Sequence, residues 1–285
     1  MAVAGALTIA WSAILVRKAD VAPATAAVFR CAYAVPVLGV FAWAEQRRYG
    51  KRSWREIKLS LWAGAFFAAD LICWHYSIHY VGAGLATVLG NLQVVLVGLV
   101  AWLTLGERPE NRVMIAVPIA LLGIVLISGV VGSGAYGEDP ARGVIFGVAT
   151  GLTYAGFILV LRQSAQDLRR PVSPLFEATA ASAVFALIAG LIIGDVDLAP
   201  SWPAHGWLVL LALSSQVVGW LLISVSLPRL PAALTSVLLT VQPVGSVILG
   251  VILLSESPSL LQLAGVASIF SGIIVATARR SRVTA

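Results

Sequence analysis

Asp70 lies near the middle of a long apolar stretch, and four residues on comes Trp74, with Ser77 a further turn along. In a helix these three share one face. A carboxylate inside a membrane is costly and is a functional suspect by default. It could carry a coupling proton, or it could pair with a basic group on a neighbouring helix, such as Arg30. His75 and His79 form an H-x-x-x-H spacing on the same stretch. That spacing suits a metal, but histidine-built metal centres need more ligands, and His205 is the only other histidine in the chain. No metal site is expected. His79 is read as a solute-contacting group able to take a proton near neutral pH.

A second set of polar residues occurs as symmetric pairs. Thr87 and Asn91 are four apart and share a face, and Gln93 follows. At a constant offset of 149 residues they meet Ser236, Thr240 and Gln242. These six groups either face a cavity or hydrogen-bond helices to one another. Trp11 and Tyr154 occupy roughly corresponding places, and Trp220 shares a helical face with Gln216. A lining that mixes aromatic and polar side chains suits an amphipathic solute. The competing reading of any tryptophan is an interfacial belt, which fits Trp102, Trp202 and Trp207 better because they lie near segment ends.

The elements that carry these residues follow from composition. The chain has 285 residues, 59% hydrophobic and 11% charged, with a mean hydropathy of +0.94. Soluble domains carry about a quarter charged residues, so this chain has too little polar surface for water. A spanning helix needs roughly 20 apolar residues. Ten candidates appear, at 2–16, 24–44, 57–80, 84–104, 111–131, 142–163, 173–194, 204–227, 232–254 and 259–278. The first is short. It lacks the basic start of a leader peptide, since Arg17 and Lys18 follow the apolar run, and it is read as a span. Cys31 and Cys73 both fall within predicted helices, so no disulfide framework is implied.

The net charge is +6 and the pI about 9.7, but the basic residues sit between apolar runs and speak of topology, not nucleic acid. With ten spans, fifteen of the 19 fall on one side, including Arg47 to Lys58, Arg108, Arg112, Arg162, Arg169, Arg170, Arg229 and Arg279 to Arg282. Arg17, Lys18 and Arg142 fall on the other. Short basic loops stay in the cytoplasm. Both termini are therefore expected to be cytoplasmic.

Sliding the chain on itself by 149 residues pairs Gln93 with Gln242, Glu107 with Glu256, Pro109 with Pro258 and Gly123 with Gly272. Two five-helix halves, 1–131 and 142–280, follow from this. An odd number of spans per half turns the second upside down. Inverted repeats are characteristic of secondary transporters, and some channels share them.

Five plus five helices, Trp11-Ser12, Arg30, and the run from Tyr80 to Leu105-Gly106-Glu107, echoed by Gln242-Pro243 through Leu254-Ser255-Glu256, resemble the drug/metabolite transporter superfamily. The EamA-type branch is most similar, and within it the bacterial aromatic amino acid exporters of the YddG type. The resemblance implies a basket-like bundle in the inner membrane, outward movement of amino acids, and a place for Ser12 beside Trp11 in the site. The chain departs from the pattern at Val94, where the second half has Pro243. Proline bends helices, so the segment at 84–104 is expected to be straighter than that at 232–254.

The expected function is export of large neutral or aromatic amino acids by alternating access, with drugs or other metabolites as the alternative cargo and a passive channel behind them. No H-E-x-x-H, Walker loop or nucleophile–base arrangement points to an enzyme. No cofactor and no nucleic-acid partner are implied. A monomer or weak dimer in lipid is expected.

Overall fold

The computed structural model describes residues 2–96, 111–226 and 241–277. Ser236, Thr240, Trp102, Arg229 and the Glu107–Pro109 turn lie outside the described residues. The described residues are helical, without strands. They form α1 (Ala2–Ala19), α2 (Pro23–Tyr49), α3 (Trp54–Val81), α4 (Ala83–Gly90), α5 (Asn111–Ile127), α6 (Pro140–Ser164), α7 (Val172–Ile193) and α8 (Ala204–Leu211). A π-helical stretch, Ala212–Gly219, carries α8 into α9 (Trp220–Ser226), and α10 (Val241–Leu254) and α11 (Leu260–Thr277) complete the chain.

Local signals set the helix starts. Ser53 and Glu56 form a reciprocal capping box on α3: Ser53 Oγ accepts from the Glu56 N–H and Glu56 Oε2 accepts from the Ser53 N–H. Pro23 and Pro140 occupy first turns, where a missing N–H is harmless. Asp139 accepts from the Arg142 N–H at 3.0 Å. Caps also come from other helices. Glu45, near the end of α2, accepts from the N–H groups of Val172 and Ser173 at the start of α7.

Six of these helices, α2, α3, α6, α7, α11 and the run Ala204–Ile223, are long and apolar enough to cross a membrane. The bundle turns large side chains outward, among them Val40, Leu121, Ile192 and Leu260. In water that would be an aggregating surface, and in lipid it is a solvated one. The protein is a multi-pass membrane protein.

Packing is close because small residues line the contacts. α3 packs on α6 and α7, α2 on α7, α5 on α11, and α1 on α10 and the α8–π–α9 run. At Gly64 a methyl group would meet the Ala178 carbonyl and Ala181, so α3 and α7 touch backbone to backbone. Arg52 ties the ends of α3, α6 and α7 together. It forms an ion pair with Glu177 and donates to Ser164 Oγ at 2.7 Å and Ser60 Oγ at 3.2 Å.

The comparison expected between the proline-free and proline-bearing segments falls largely outside the described residues, which stop at 96 in the one and begin at 241 in the other. α10 runs unbroken past Pro243. α4 stops at Gly90, and a turn at Asn91–Leu92 precedes further helix from Gln93. The Asn91 side chain explains it. Its amide donates to the Thr87 carbonyl at 2.8 Å and competes with the backbone for that acceptor.

Candidate functional site

A small cavity lies where α1, α2, α3, α4, α6, α9 and α10 meet. Its apolar wall is aromatic. Phe67 stacks on Phe157 at 4.4 Å, and the edge of Trp220 meets Phe67, Phe157 and Tyr154 at 6.0, 5.2 and 6.1 Å. Trp74 closes another side against Gly90. Facing these rings are Ser12, Arg30, Asp70, Thr87, Asn91, Thr150 and Gln242.

Several polar groups on this wall are bound to their own helix. Ser12 Oγ donates to the Ile9 carbonyl at 2.5 Å and Thr87 Oγ1 to the Ala83 carbonyl at 2.8 Å. Such bonds leave an oxygen lone pair free to meet a solute. Thr150 Oγ1 has no partner among the described residues. Asp70, 6% exposed, has neither an ion-pair partner nor a donor among them.

Of the residues expected at the site, Ser12, Asp70, Trp74, Thr87, Asn91, Tyr154, Trp220 and Gln242 line the cavity. Gln216 is fully buried behind it and bonds to Arg30. Gln93 is buried beside the lining without forming it. Trp11 is not brought in. It is 46% exposed on the outer face of α1, while its neighbour Ser12 turns inward. His79 sits half-exposed at the far end of α3, with Nε2 3.4 Å from Glu138. His75 points elsewhere again, with Nδ1 3.0 Å from the Pro23 carbonyl. No metal-binding cluster occurs among the described residues.

Arg30 is the residue that the sequence reading left out of the lining. As a basic residue near the middle of an apolar segment it was visible, as a possible partner for Asp70 and as part of the family resemblance. Its Nε donates instead to Gln216 Oε1 at 3.1 Å.

At one end of the bundle the turn between α10 and α11 docks on the junction of α3 and α4. The link between α3 and α4 is Gly82 alone, at φ 89°, and Glu256 and Tyr136 press on it so closely that a Cβ would collide. Glu256 accepts from the N–H groups of Ala83 (2.5 Å) and Gly84 (3.1 Å), at the start of α4. Burial pushes its carboxyl above the usual glutamate range, and those two N–H groups and the Arg17 charge hold it back. Beside it Gln262 bridges the backbone of Tyr136, accepting from its N–H at 2.8 Å and donating to its carbonyl at 2.9 Å.

Comparisons with known proteins agree on the class. The model of the EamA-like transporter family matches residues 1–129 and 141–278. An uncharacterized transporter of Archaeoglobus fulgidus is 27% identical over 172 residues, which is 60% of this chain and 59% of that protein. The uncharacterized transporter YxxF of Bacillus subtilis is 26% identical across 88% of this chain and 80% of its own. A solved crystal structure superposes with a TM-score of 0.61 at 16% identity, covering 97% of this chain and 94% of that one, which speaks for a shared fold.

Proposed function

Since the chain belongs to the EamA-like transporter family, and is thereby a membrane transporter of small solutes, we propose that it exports amino acids with large neutral or aromatic side chains, in the manner of the YddG-type exporters. On this reading ten spans form two inverted halves, 1–131 and 142–280, in the inner membrane with both termini cytoplasmic. The halves rock about the cavity and expose it to one side at a time.

The composition of the cavity wall carries the reading. Ser12, Arg30, Asp70, Trp74, Thr87 and Asn91 come from the first half, and Thr150, Tyr154, Trp220 and Gln242 from the second. A site shared in this way changes its exits when one half moves against the other. Aromatic rings facing charged and amide groups complement a solute with an apolar side chain and a polar head.

The contact of α5 with α11 supports the repeat. Ser268 Oγ donates to the Ile119 carbonyl at 2.7 Å, and these two positions are 149 apart. Gly123 meets Gly265 and Ile269, while Gly272 meets Ala116 and Ala120, each set displaced from the other by the same 149. A twofold axis between α5 and α11 produces such reciprocity. On the basic-residue topology, the end at which Glu256 caps α4 faces outward.

Counterflow in liposomes with a panel of labelled metabolites tests the proposal. Saturable exchange of phenylalanine, with methionine and threonine competing, is the expected result. Robust flux of another solute class without any amino acid exchange overturns the cargo, and flux that never saturates overturns the carrier in favour of a channel.

A further inference from the structure

We propose that Arg30 binds the solute's carboxylate and Asp70 its ammonium group, so that the cavity reads its cargo as a zwitterion; this rests on the transport reading above and narrows it to specific contacts.

Arg30 is 3% exposed and is the only basic side chain on the cavity wall among the described residues. Two of its surfaces are held by protein. Along one edge Nε donates to Gln216 Oε1 at 3.1 Å, and Gln216 Nε2 donates in turn to Thr179 Oγ1 at 3.1 Å. That relay runs from α7 through the π-helical stretch to α2, and it fixes the side chain about its long axis. Its guanidinium carbon also lies over the rings of Trp74, 5.6 Å from the centroid, and Phe67, at 6.0 Å. The two terminal amino groups have no acceptor among the described residues, and they border the cavity that Arg30 lines. A guanidinium so clamped presents a planar pair of donors, which is the geometry that matches a carboxylate.

Asp70 lies on the same wall with its oxygens unpartnered. Burying one ion without compensation costs several kcal/mol in general, and two opposite ions close by would normally pair. Arg30 and Asp70 share a cavity and do not form an ion pair. A zwitterion relieves both at once. An α-amino acid carries its carboxylate and ammonium on one carbon, which leaves its side chain free to lie against Trp74, Tyr154 and Trp220. Solutes carrying only one of the two charges meet only one of these two groups and bind more weakly.

The test uses the full-length protein in liposomes, with labelled phenylalanine in counterflow and three competitors. These are phenylalanine itself, its amide, which lacks the carboxylate, and 3-phenylpropionate, which lacks the ammonium. Both analogues are expected to compete at least tenfold more weakly in the wild-type protein. Arg30→Gln is expected to raise the half-saturation for phenylalanine at least tenfold and to abolish the preference for the acid over the amide. Asp70→Asn is expected to abolish the preference for phenylalanine over 3-phenylpropionate. Equal competition by the amide in the wild-type protein overturns the proposal, with no variant needed. So does an Arg30→Gln protein that reaches the membrane at wild-type level and keeps its preference for the acid. Failure of the cargo reading looks different: phenylalanine is not exchanged while another labelled carboxylate is. That carboxylate and its amide then replace the phenylalanine pair, and an unchanged preference in Arg30→Gln again overturns the role of Arg30.

Discussion

The carboxylate of Glu256, in the turn between α10 and α11, holds the backbone N–H of Ala83 at 2.5 Å, 173 residues earlier in the chain. The neighbouring Gly84 N–H is held at 3.1 Å. The acid thus completes the open start of a helix to which its own segment is not joined. The orphan N–H groups of a helix start are satisfied by a carboxylate better than by any neutral group.

Glu256→Ala therefore loosens the docking of the α10–α11 turn on the start of α4. Hydrogen bonds to a charged group contribute about 1.5–3 kcal/mol each, so about 3 kcal/mol for the pair is a conservative figure. The ratio of docked to undocked turn should fall about a hundredfold. The readout is labelling of a Tyr136→Cys reporter, with Cys31 and Cys73 replaced by alanine, by a membrane-impermeant maleimide. Faster labelling in Glu256→Ala is expected, and an unchanged rate means that other contacts keep the turn docked.

Arg52 and Glu177 make a buried ion pair at the opposite end of α3, with Ser60 and Ser164 completing the shell. Removing one partner of such a pair leaves a buried uncompensated charge. Glu177→Ala should lower stability by about 3 kcal/mol, read as a lower unfolding temperature in detergent. Because the cluster is remote from the cavity lining, the half-saturation for solute should be unchanged in the protein that remains folded.

Much of the helical frame could be read from apolar runs. The span expected at 173–194 is Val172–Ile193, and that at 142–163 is Pro140–Ser164. The π-helical stretch at Ala212–Gly219 was invisible because hydropathy carries no information about which carbonyl an N–H chooses. The break at Asn91 is hidden for a related reason, since neither hydropathy nor the missing proline at position 94 records a side chain that captures a backbone acceptor. The candidate site was legible in its chemistry and less so in its directions. Trp11 and Ser12 are adjacent on a helix that is apolar all round, so nothing in the sequence says which one faces lipid. Arg30 was legible as an oddity, and its role emerged only once Gln216 was seen to occupy its Nε.

Reciprocal contacts between α5 and α11 make a paired prediction. A β-carbon at Gly123 would strike Ile269 and the Gly265 carbonyl, and one at Gly272 would crowd the Ala116 carbonyl. Overpacking of this kind costs about 1–3 kcal/mol. Gly123→Val and Gly272→Val should each lower the unfolding temperature in detergent, by similar amounts if the two positions are equivalent. A loss at one site with none at the other argues against a twofold relation between these helices.

Trp11 and Gln242 separate lining from surface most sharply. Trp11 is 46% exposed on the outer face of α1, where lipid replaces whatever its ring contributes. Gln242 is on the cavity wall, and its amide can both donate and accept. Trp11→Ala should leave the half-saturation for solute within about twofold of wild type, because no cavity contact is lost. Gln242→Ala should raise it about tenfold, which corresponds to one lost hydrogen bond to the solute of about 1.4 kcal/mol. Initial counterflow rates across a concentration series give both numbers from the same preparations. If Trp11→Ala proves the more damaging change, the cavity between α1 and α10 is not the path that the solute takes.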